Sequence, residues 1–460
     1  MDENIPQNPD YPTLEAEESE ADGNYNKKKI ISIVIGGVIV VFLLILVIAL
    51  IFILPKFFQK KNEKVELTYW GVWENSAVIS EVIQDFTKEH PDIKIKYEDQ
   101  NIKVIGKYID RISAQSPDIY RYHNSWVTEL LGRGLLAPFP QDVVKTTELE
   151  IQYYDVIKKD LKIKGAYYGI PLGIDTLALF INTKLFQAAG LTPQSMLWED
   201  LFREQSPYLP MTVRDGTTGK ISTSTIALGR IDNIAHATDI ISLLLVQSGV
   251  SPMKPDGQNT QRALTFYTTF AKGDTKVWDE TLDNSKLAFA KGNLAMFFGY
   301  SWDIFEIKAV NPNLEFTVVP VPYVPGNKKT IASYWVEGVS SKTKHQKEAF
   351  EFLKFLTKRE TLEKMYAKES KLRLFGEPYP RIDMAELLKD NLLIYPFVQQ
   401  AKNAESTIFS SDTYDDADIS VLNGYLGDAV TSLLNGNTSP DTAVSKLNEG
   451  VNSVFGKYAK

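Results

Sequence analysis

Residues 65–98 read VELTYWGVWENSAVISEVIQDFTKEHPDIKIKYE and contain two strand patterns with a helix pattern between them. Val65, Leu67 and Tyr69 alternate with polar residues, which predicts a strand over 65–70. Val78, Val82 and Phe86 share one helical face, and His90-Pro91 ends that helix. A second alternation begins at Ile93. A strand, a helix and a strand in this order predict a mostly parallel α/β sheet.

The same alternation continues along the chain. DIYRY predicts a strand that ends at residue 122, and a helix over 125–131 closes at Gly132 or Gly134. Further strands are predicted within 169–182, 293–302 and 314–324, and helices over 346–357 and through most of the chain after 359. Because the chain has 460 residues, more than one domain is expected.

Composition excludes several functions. A net charge of −8 disfavours a nucleic-acid partner, and the absence of cysteine excludes disulfides and thiolate chemistry. The four histidines are scattered, and the chain has neither a phosphate loop nor a nucleophile elbow. The acidic stretch around Asp412 misses the spacing of a calcium loop and is more typical of a solvated helix start. The sequence therefore predicts no metal and no cofactor.

The N-terminal 64 residues have an organisation of their own. Residues 1–29 hold eight acids and three lysines, which predicts a disordered acidic tail. Residues 30–54 are 25 uncharged residues, enough to span the roughly 30 Å hydrocarbon core, and we expect an uncleaved transmembrane helix there. A linker follows over 55–64. Lysines flank the span on both sides, so charge does not fix its orientation.

Aromatic residues gather where predicted strands end. Five of the seven tryptophans lie at such positions: Trp70, Trp73, Trp126, Trp302 and Trp335. Ligands of open α/β sheets bind beyond the carboxyl ends of the strands. Aromatic rings with amide and carboxylate groups suit a sugar, whose CH faces stack and whose hydroxyls need polar partners. For any single tryptophan a place in the core is about equally expected, whereas the set of five favours a shared cleft.

Several stretches together resemble the family 1 extracellular solute-binding proteins of ABC importers, the maltose-binding-protein-like family. They are residues 65–98, 116–139, 167–191 and 288–302 together with KEAFEFLKFL, and they cover nearly all of 65–375. The resemblance implies two α/β lobes of the type II periplasmic-binding-protein-like fold, joined by three hinge crossings. We expect an N-terminal lobe of 65–174 and 318–356, and a C-terminal lobe of 175–317 and 357–460.

The resemblance also implies the ligand-binding residues. Tyr122 and Trp302 fall where the family offers stacking aromatics, Asp175 where it has a hinge-side carboxylate, and Glu74 and Asn75 where it has a polar loop. The full set of candidates comprises Trp73, Glu74, Asn75, Tyr122, Asn124, Trp126, Asp175, Asn233, His236, Asp239, Tyr300, Trp302, Tyr334 and Trp335. No catalytic residue is expected.

The resemblance implies a receptor that binds a carbohydrate, closes on it and delivers it to the permease subunits of an ABC importer. With residues 30–54 as a single-pass anchor, the tail would be cytoplasmic and the lobes extracytoplasmic. Two alternatives remain open: a membrane-anchored glycosidase with Glu74 and Asp175 as its acids, and a ligand-sensing ectodomain.

Overall fold

The computed structural model describes residues 34–49, 64–146, 148–203, 205–274, 276–414 and 418–458. The chain divides into residues 1–64 and a compact unit, Val65–Lys460. In the first unit, residues 34–48 are helical. Within the described residues, no helix has both the length and the apolar character needed to cross a membrane. The predicted tail lies outside the described residues, as do most of the linker and both ends of the predicted span.

The strands of the second unit are β1 (Val65–Gly71), β2 (Ile93–Asp99), β3 (Ile119–His123), β4 (Lys162–Ile163), β5 (Ala166–Tyr167), β6 (Ile170–Pro171), β7 (Asp175–Thr176), β8 (Ala178–Asn182), β9 (Val213–Arg214), β10 (Ile221–Ile226), β11 (Leu294–Gly299), β12 (Phe316–Pro320), β13 (Thr330–Ser333), β14 (Trp335–Val339) and β15 (Ala404–Glu405).

The α-helices of this unit are α1 (Ser76–Glu89), α2 (Ile102–Ile105), α3 (Tyr108–Gln115), α4 (Val127–Gly132), α5 (Gln141–Thr146), α6 (Leu149–Gln152), α7 (Asp155–Leu161), α8 (Thr183–Ala188), α9 (Trp198–Phe202), α10 (Ala237–Gln247), α11 (Gly257–Thr269), α12 (Ser285–Ala290), α13 (Asp303–Val310), α14 (Gln346–Leu356), α15 (Arg359–Leu372), α16 (Tyr395–Gln400), α17 (Asp418–Leu434) and α18 (Pro440–Phe455). Short 3₁₀ turns cover Asn124–Trp126, Leu209–Met211, Ile382–Leu388, Ala401–Asn403 and Gly456–Tyr458.

The first sheet has the strand order β2-β1-β3-β14-β6. Its first three strands are parallel, as predicted. Helix α1 buries Val78, Val82 and Phe86, the predicted face. Strand β14 pairs antiparallel with β3, so a segment more than 200 positions away completes the sheet. All five residues of β3 are buried, because this central strand is covered on both faces.

The second sheet has the order β12-β8-β11-β10-β9. Every residue of β8 and β11 is buried, as expected for strands with helices on both faces. Helices α17 and α18 pack together and against α11, so the C-terminal pair belongs to this lobe.

A small hinge sheet with the order β15-β13-β7 lies where the chain passes between the lobes. Residues 172–177 join β6 of the first sheet to β8 of the second, and residues 321–334 lead back from β12 to β14. A third passage follows α15, since α16 packs on β12 and β7. The Thr176 hydroxyl donates to the Phe397 carbonyl at 2.8 Å, which ties the first passage to α16.

Two of the predicted lobe assignments differ from the packing in the structure. The boundary at 318 cuts β12, which pairs along its whole length with β8 of the second sheet. Helix α15 was assigned to the second lobe, but it packs against α1 of the first, and Lys368 pairs with Glu81 at 2.7 Å. Local patterns do not show which sheet an element joins, because that choice depends on contacts distant in sequence.

Candidate functional site

The two lobes meet at Asp175, the first residue of β7. Its Oδ2 accepts a 2.9 Å hydrogen bond from the backbone N–H of Ser301 and another from the Ser301 hydroxyl, and its Oδ1 accepts from the Thr176 N–H at 2.8 Å. Burial raises the pKa of Asp175 well above its usual value. Asp175 also lies opposite Ser333 in the hinge sheet. It therefore connects the first hinge passage with the end of β11.

Four aromatic side chains around this junction keep part of their surface exposed: Trp73, Trp302, Trp335 and Tyr414. The Trp73 ring lies 6.1 Å from the Trp335 ring and 5.4 Å from the Tyr414 ring, measured between centroids. The Lys103 ammonium lies 5.2 Å from the centroids of both Trp73 and Tyr414. Tyr414 was not predicted, because it lies in an acidic segment that looks like an ordinary solvated helix start.

Trp302 is held in place by stacking on Tyr300. The two rings are 4.4 Å apart and 14° from parallel. Tyr300 is buried, and its hydroxyl donates to Asp239 at 2.9 Å. Trp302 thus presents one face to its support and stays half-buried, an arrangement that can offer the other face to a ligand.

Several predicted ligand-binding aromatics belong to the core. Tyr122 is fully buried: its hydroxyl donates to the Tyr168 carbonyl at 3.4 Å, and a Cβ added at Gly338 would lie 2.8 Å from its ring. Tyr122 is therefore not a cleft aromatic, since β3 has no free face. Trp126 is buried too and supports Trp335 edge-on at 5.4 Å.

The polar loop after β1 is also structural. Asn75 caps α1 by accepting from the Ala77 N–H at 2.9 Å. Glu74 is buried and pairs at 2.7 Å with Arg121, which also pairs with Glu337 at 2.5 Å. Although burial favours the neutral acid, Arg121 lowers the pKa of Glu74. The Glu74 carboxylate is thus committed to a buried ion pair rather than to a ligand.

Asn233 and Asn124 face away from the junction. The Asn233 amide donates to the carbonyls of Asp279 and Leu282 and accepts from Trp278 at 2.9 Å. Asn124 donates to Asp160 at 3.2 Å and to Ser406 at 3.0 Å. Tyr334 joins this second group by donating to Asp160 at 2.6 Å. These three predicted residues hold loops and the hinge together, because their polar atoms are already paired within the chain.

His236 lies beneath Trp302 at the start of α10. Its backbone is left-handed, with φ 58°, and its ring is fully buried. Nε2 is 2.8 Å from Asp303, and Nδ1 is 2.7 Å from the Ser411 hydroxyl. Burial alone lowers the pKa of His236, but Asp303 and other acids outweigh it and raise this pKa to about 9. Asp239 accepts from the Ser411 N–H at 3.0 Å and completes the connection to the 411–414 loop.

A chain of hydrogen bonds runs from Ser411 through His236 to Asp303, which is the order found in the catalytic triad of a hydrolase. A triad histidine must be neutral in order to take the serine proton. With a pKa of about 9, His236 is an imidazolium at neutral pH and donates from both ring nitrogens. The three residues therefore fix Trp302 and the 411–414 loop and do not activate a nucleophile.

Comparison with known proteins identifies the family. A model of bacterial extracellular solute-binding proteins matches residues 81–372. The multiple sugar-binding protein of Streptococcus mutans is 23% identical over 330 residues, which cover 68% of this chain and 75% of that protein. The family match thus covers segments of both lobes.

Solved structures show the same fold. The sugar-binding protein MalE of Xanthomonas citri superposes with a TM-score of 0.68 at 18% identity, covering 85% of this chain and 98% of that one. The cyclic alpha-maltosyl-1,6-maltose binding protein of Arthrobacter globiformis gives 0.65 at 20% identity, with coverage of 85% and 98%. The predicted two-lobed fold is confirmed by these likenesses.

Proposed function

We propose that this chain, which belongs to the bacterial extracellular solute-binding protein family, captures an oligosaccharide between its two lobes and delivers it to an ABC importer. The observation that carries the proposal is the group of part-exposed rings around Asp175: Trp73, Trp335, Trp302 and Tyr414. Trp73 and Trp335 come from the first lobe, Trp302 comes from the second lobe, and Tyr414 lies in the 411–414 loop. A clamp that closes on a ligand requires binding groups on both sides.

The chemistry of this group suits a neutral sugar. Indole and phenol rings supply flat apolar surface at little entropic cost, and rings of this kind dominate binding energy at interfaces. Streptococcus mutans, Xanthomonas citri and Arthrobacter globiformis each have a relative or structural neighbour named for sugar binding, which supports the same class of ligand.

We propose binding without a covalent change. A glycosidase would use Glu74 and Asp175 as acid and base, but Glu74 forms a buried ion pair with Arg121, and Asp175 accepts hydrogen bonds from Ser301 and Thr176. Both carboxyl groups are buried and paired within the chain, so neither is free to reach a glycosidic oxygen as a glycosidase requires. The purified chain should return an oligosaccharide unaltered.

We also propose that residues 30–54 tether the protein to the membrane, with residues 1–29 in the cytoplasm and the lobes outside. Support comes from the 25 uncharged residues and from a family that works outside the cytoplasm. Protease added to intact cells should digest the lobes and spare the tail. Digestion of the lobes only after lysis would contradict the orientation and, with it, delivery to an importer.

Calorimetry with the full-length chain in detergent tests the ligand class. We would titrate maltotetraose, cellotetraose and mannotriose, with a tetrapeptide as the control, and then analyse each oligosaccharide chromatographically. A ligand at about 100 times its dissociation constant should stabilise the fold by roughly 2.7 kcal/mol. Binding of the peptide alone, or cleavage of a bound oligosaccharide, would contradict the proposal.

A further inference from the structure

A pocket lies at the opposite edge of the hinge sheet from Asp175. Its volume is about 580 Å³, and its walls come from the 124–128 turn, α7, the end of α10 with the loop after it, Lys329 and residues 405–408. In the hinge sheet β13 separates β7, which carries Asp175, from β15, which carries Glu405. This hinge pocket is therefore distinct from the aromatic junction. Its size falls within the usual range for small-molecule sites.

The inner end of the hinge pocket is a carboxylate, Asp160. Its Oδ2 accepts hydrogen bonds from Tyr334 at 2.6 Å, from Asn124 at 3.2 Å and from the Ser406 hydroxyl. No hydrogen bond to Oδ1 is made within the described part of the chain, and Asp160 lines the pocket. Burial raises the pKa of Asp160 to about 6, so the group is still mostly anionic at neutral pH.

The outer end carries positive charge. Lys159 and Lys329 each lie 3.3 Å from the same oxygen of Glu405, so two ammonium groups share one carboxylate. Each lysine keeps a large part of its side chain exposed. An anionic group that enters the mouth of the pocket would meet a local excess of one positive charge.

Apolar side chains form much of the remaining wall. They are Val127, Ile163, Val246, Val250, Met253 and Ile408. A ligand that fits this pocket thus needs a positive end, a negative end and an apolar body.

We propose that the hinge pocket binds a small zwitterion with an apolar side chain, such as an α-amino acid. Its ammonium group donates to Asp160 Oδ1, its carboxylate contacts the exposed ammonium groups of Lys159 and Lys329 beside Glu405, and its side chain packs on Val250 and Met253. Because both lobes and the hinge form the walls, an occupant contacts all three. The inference is independent of the sugar proposed for the aromatic junction.

Calorimetry on the full-length chain tests the proposal with L-leucine and its two half-charged analogues. We would use 3-methylbutylamine, which lacks the carboxylate, 4-methylpentanoate, which lacks the amine, and glucose as a neutral hydroxylated control. Leucine should bind, and each analogue should bind at least about tenfold more weakly, the factor that corresponds to 1.4 kcal/mol. Equal binding of an analogue, stronger binding of glucose at this pocket, or no heat from millimolar leucine would overturn it.

Matched variants locate the binding. Asp160→Asn and Lys329→Met should weaken leucine binding at least tenfold. Asp155→Asn, on the same helix, and Lys328→Met, the adjacent lysine whose ammonium lies over Tyr323, should not. Met253→Trp fills the pocket without changing a charge, and it should abolish binding even if Asp160→Asn fails to fold. Unchanged leucine affinity in folded Met253→Trp would contradict the assignment of the pocket.

Discussion

Trp302 and Trp126 show how far residue type alone can locate a binding site. Both follow a strand, and both were predicted to face the cleft. Trp302 stacks on Tyr300 and remains half-buried, whereas Trp126 is 1% exposed beneath Trp335. Trp126 is the more buried of the two because β14 pairs with β3 and brings Trp335 over Trp126. The sequence around Trp126 contains no sign of a partner so far along the chain.

Replacing Trp302 by alanine should weaken binding and leave the fold nearly intact. Loss of a well-packed aromatic anchor typically costs about 2 kcal/mol or more of binding. We expect at least about tenfold weaker oligosaccharide binding by calorimetry, with a melting temperature within a few degrees of the wild type. Trp278→Ala is the control, since Trp278 is fully buried and should lower the melting temperature instead. Unchanged affinity in Trp302→Ala would place the ligand elsewhere.

The ionisation of His236 should make the stability of the folded protein fall at alkaline pH. Asp303 raises its pKa from 6.5 to about 9 against the effect of burial, so the stabilisation is complete below pH 6.5 and is lost as pH rises through 9. The shift corresponds to roughly 3 kcal/mol. His236→Asn, which tolerates the left-handed backbone, should be less stable than the wild type at neutral pH, and this difference in stability should shrink as pH rises through about 9.

His123→Asn provides the comparison for this experiment. His123 is buried as well, but burial lowers its pKa from 6.5 to about 3, so the ring is neutral throughout the alkaline range. Urea unfolding of His123→Asn should therefore differ from that of the wild type by a constant amount across that range. A parallel pH profile for both variants would refute the charged state assigned to His236.

Elements with strong local periodicity were predicted well. β1, α1 and β2 lie where the alternation places them, because each element shows its buried face in its own sequence. The two-residue strand β15 was not predicted, and β7 lies inside the strand pattern over 169–182 without a signal of its own, since two residues define no period. Their pairing with β13 comes from the convergence of three chain passages. The hinge is thus the part of the fold with the weakest local signal.

Helix α15 and the loop after β1 are joined by two buried acids. Burial, together with the neighbouring Glu74 carboxylate, raises the pKa of Glu369 from 4.5 to about 9. Glu369 also accepts from Arg373 at 2.6 Å and from the Glu377 N–H at 2.7 Å. Glu369 therefore holds the start of the third hinge passage through its bonds to Arg373 and Glu377.

Glu369→Gln should stabilise the protein increasingly as pH rises. Between pH 4.5 and about 9 the folded wild type keeps a proton that the unfolded chain has lost, so its stability falls with rising pH. Glutamine keeps the hydrogen bonds and removes this dependence. In urea unfolding at several pH values, the free energy of unfolding of Glu369→Gln should exceed that of the wild type by an amount that grows as pH rises. Glu363 is a half-exposed residue of the same helix, and Glu363→Gln should show no such pH-dependent gain in stability.

At the scale of the whole molecule, the two-lobed fold was predictable and the contacts between lobes were not. The order of strands and helices over 65–375 carried the family resemblance, and the family match over residues 81–372 confirms it. The pairing of Trp73 with Tyr414 spans 341 positions and depends on how the lobes meet. A single sequence contains the propensity of each element and says little about which surfaces of two finished lobes will touch.

Tyr414→Ala should loosen the closed form of the protein. The Tyr414 ring contacts Trp73 of the first lobe at 5.4 Å, and an aromatic pair of this kind is worth about 1 kcal/mol. Losing it should speed ligand dissociation about fivefold, as stopped-flow tryptophan fluorescence would show, and reduce the ligand-induced compaction seen by small-angle scattering. Phe202→Ala removes a half-exposed ring that pairs with Phe266 at 5.0 Å within the second lobe, and it should change neither signal. If Tyr414→Ala releases its ligand at the wild-type rate, the contact with Trp73 does not belong to the closed state, and closure must depend on the Asp175–Ser301 junction alone.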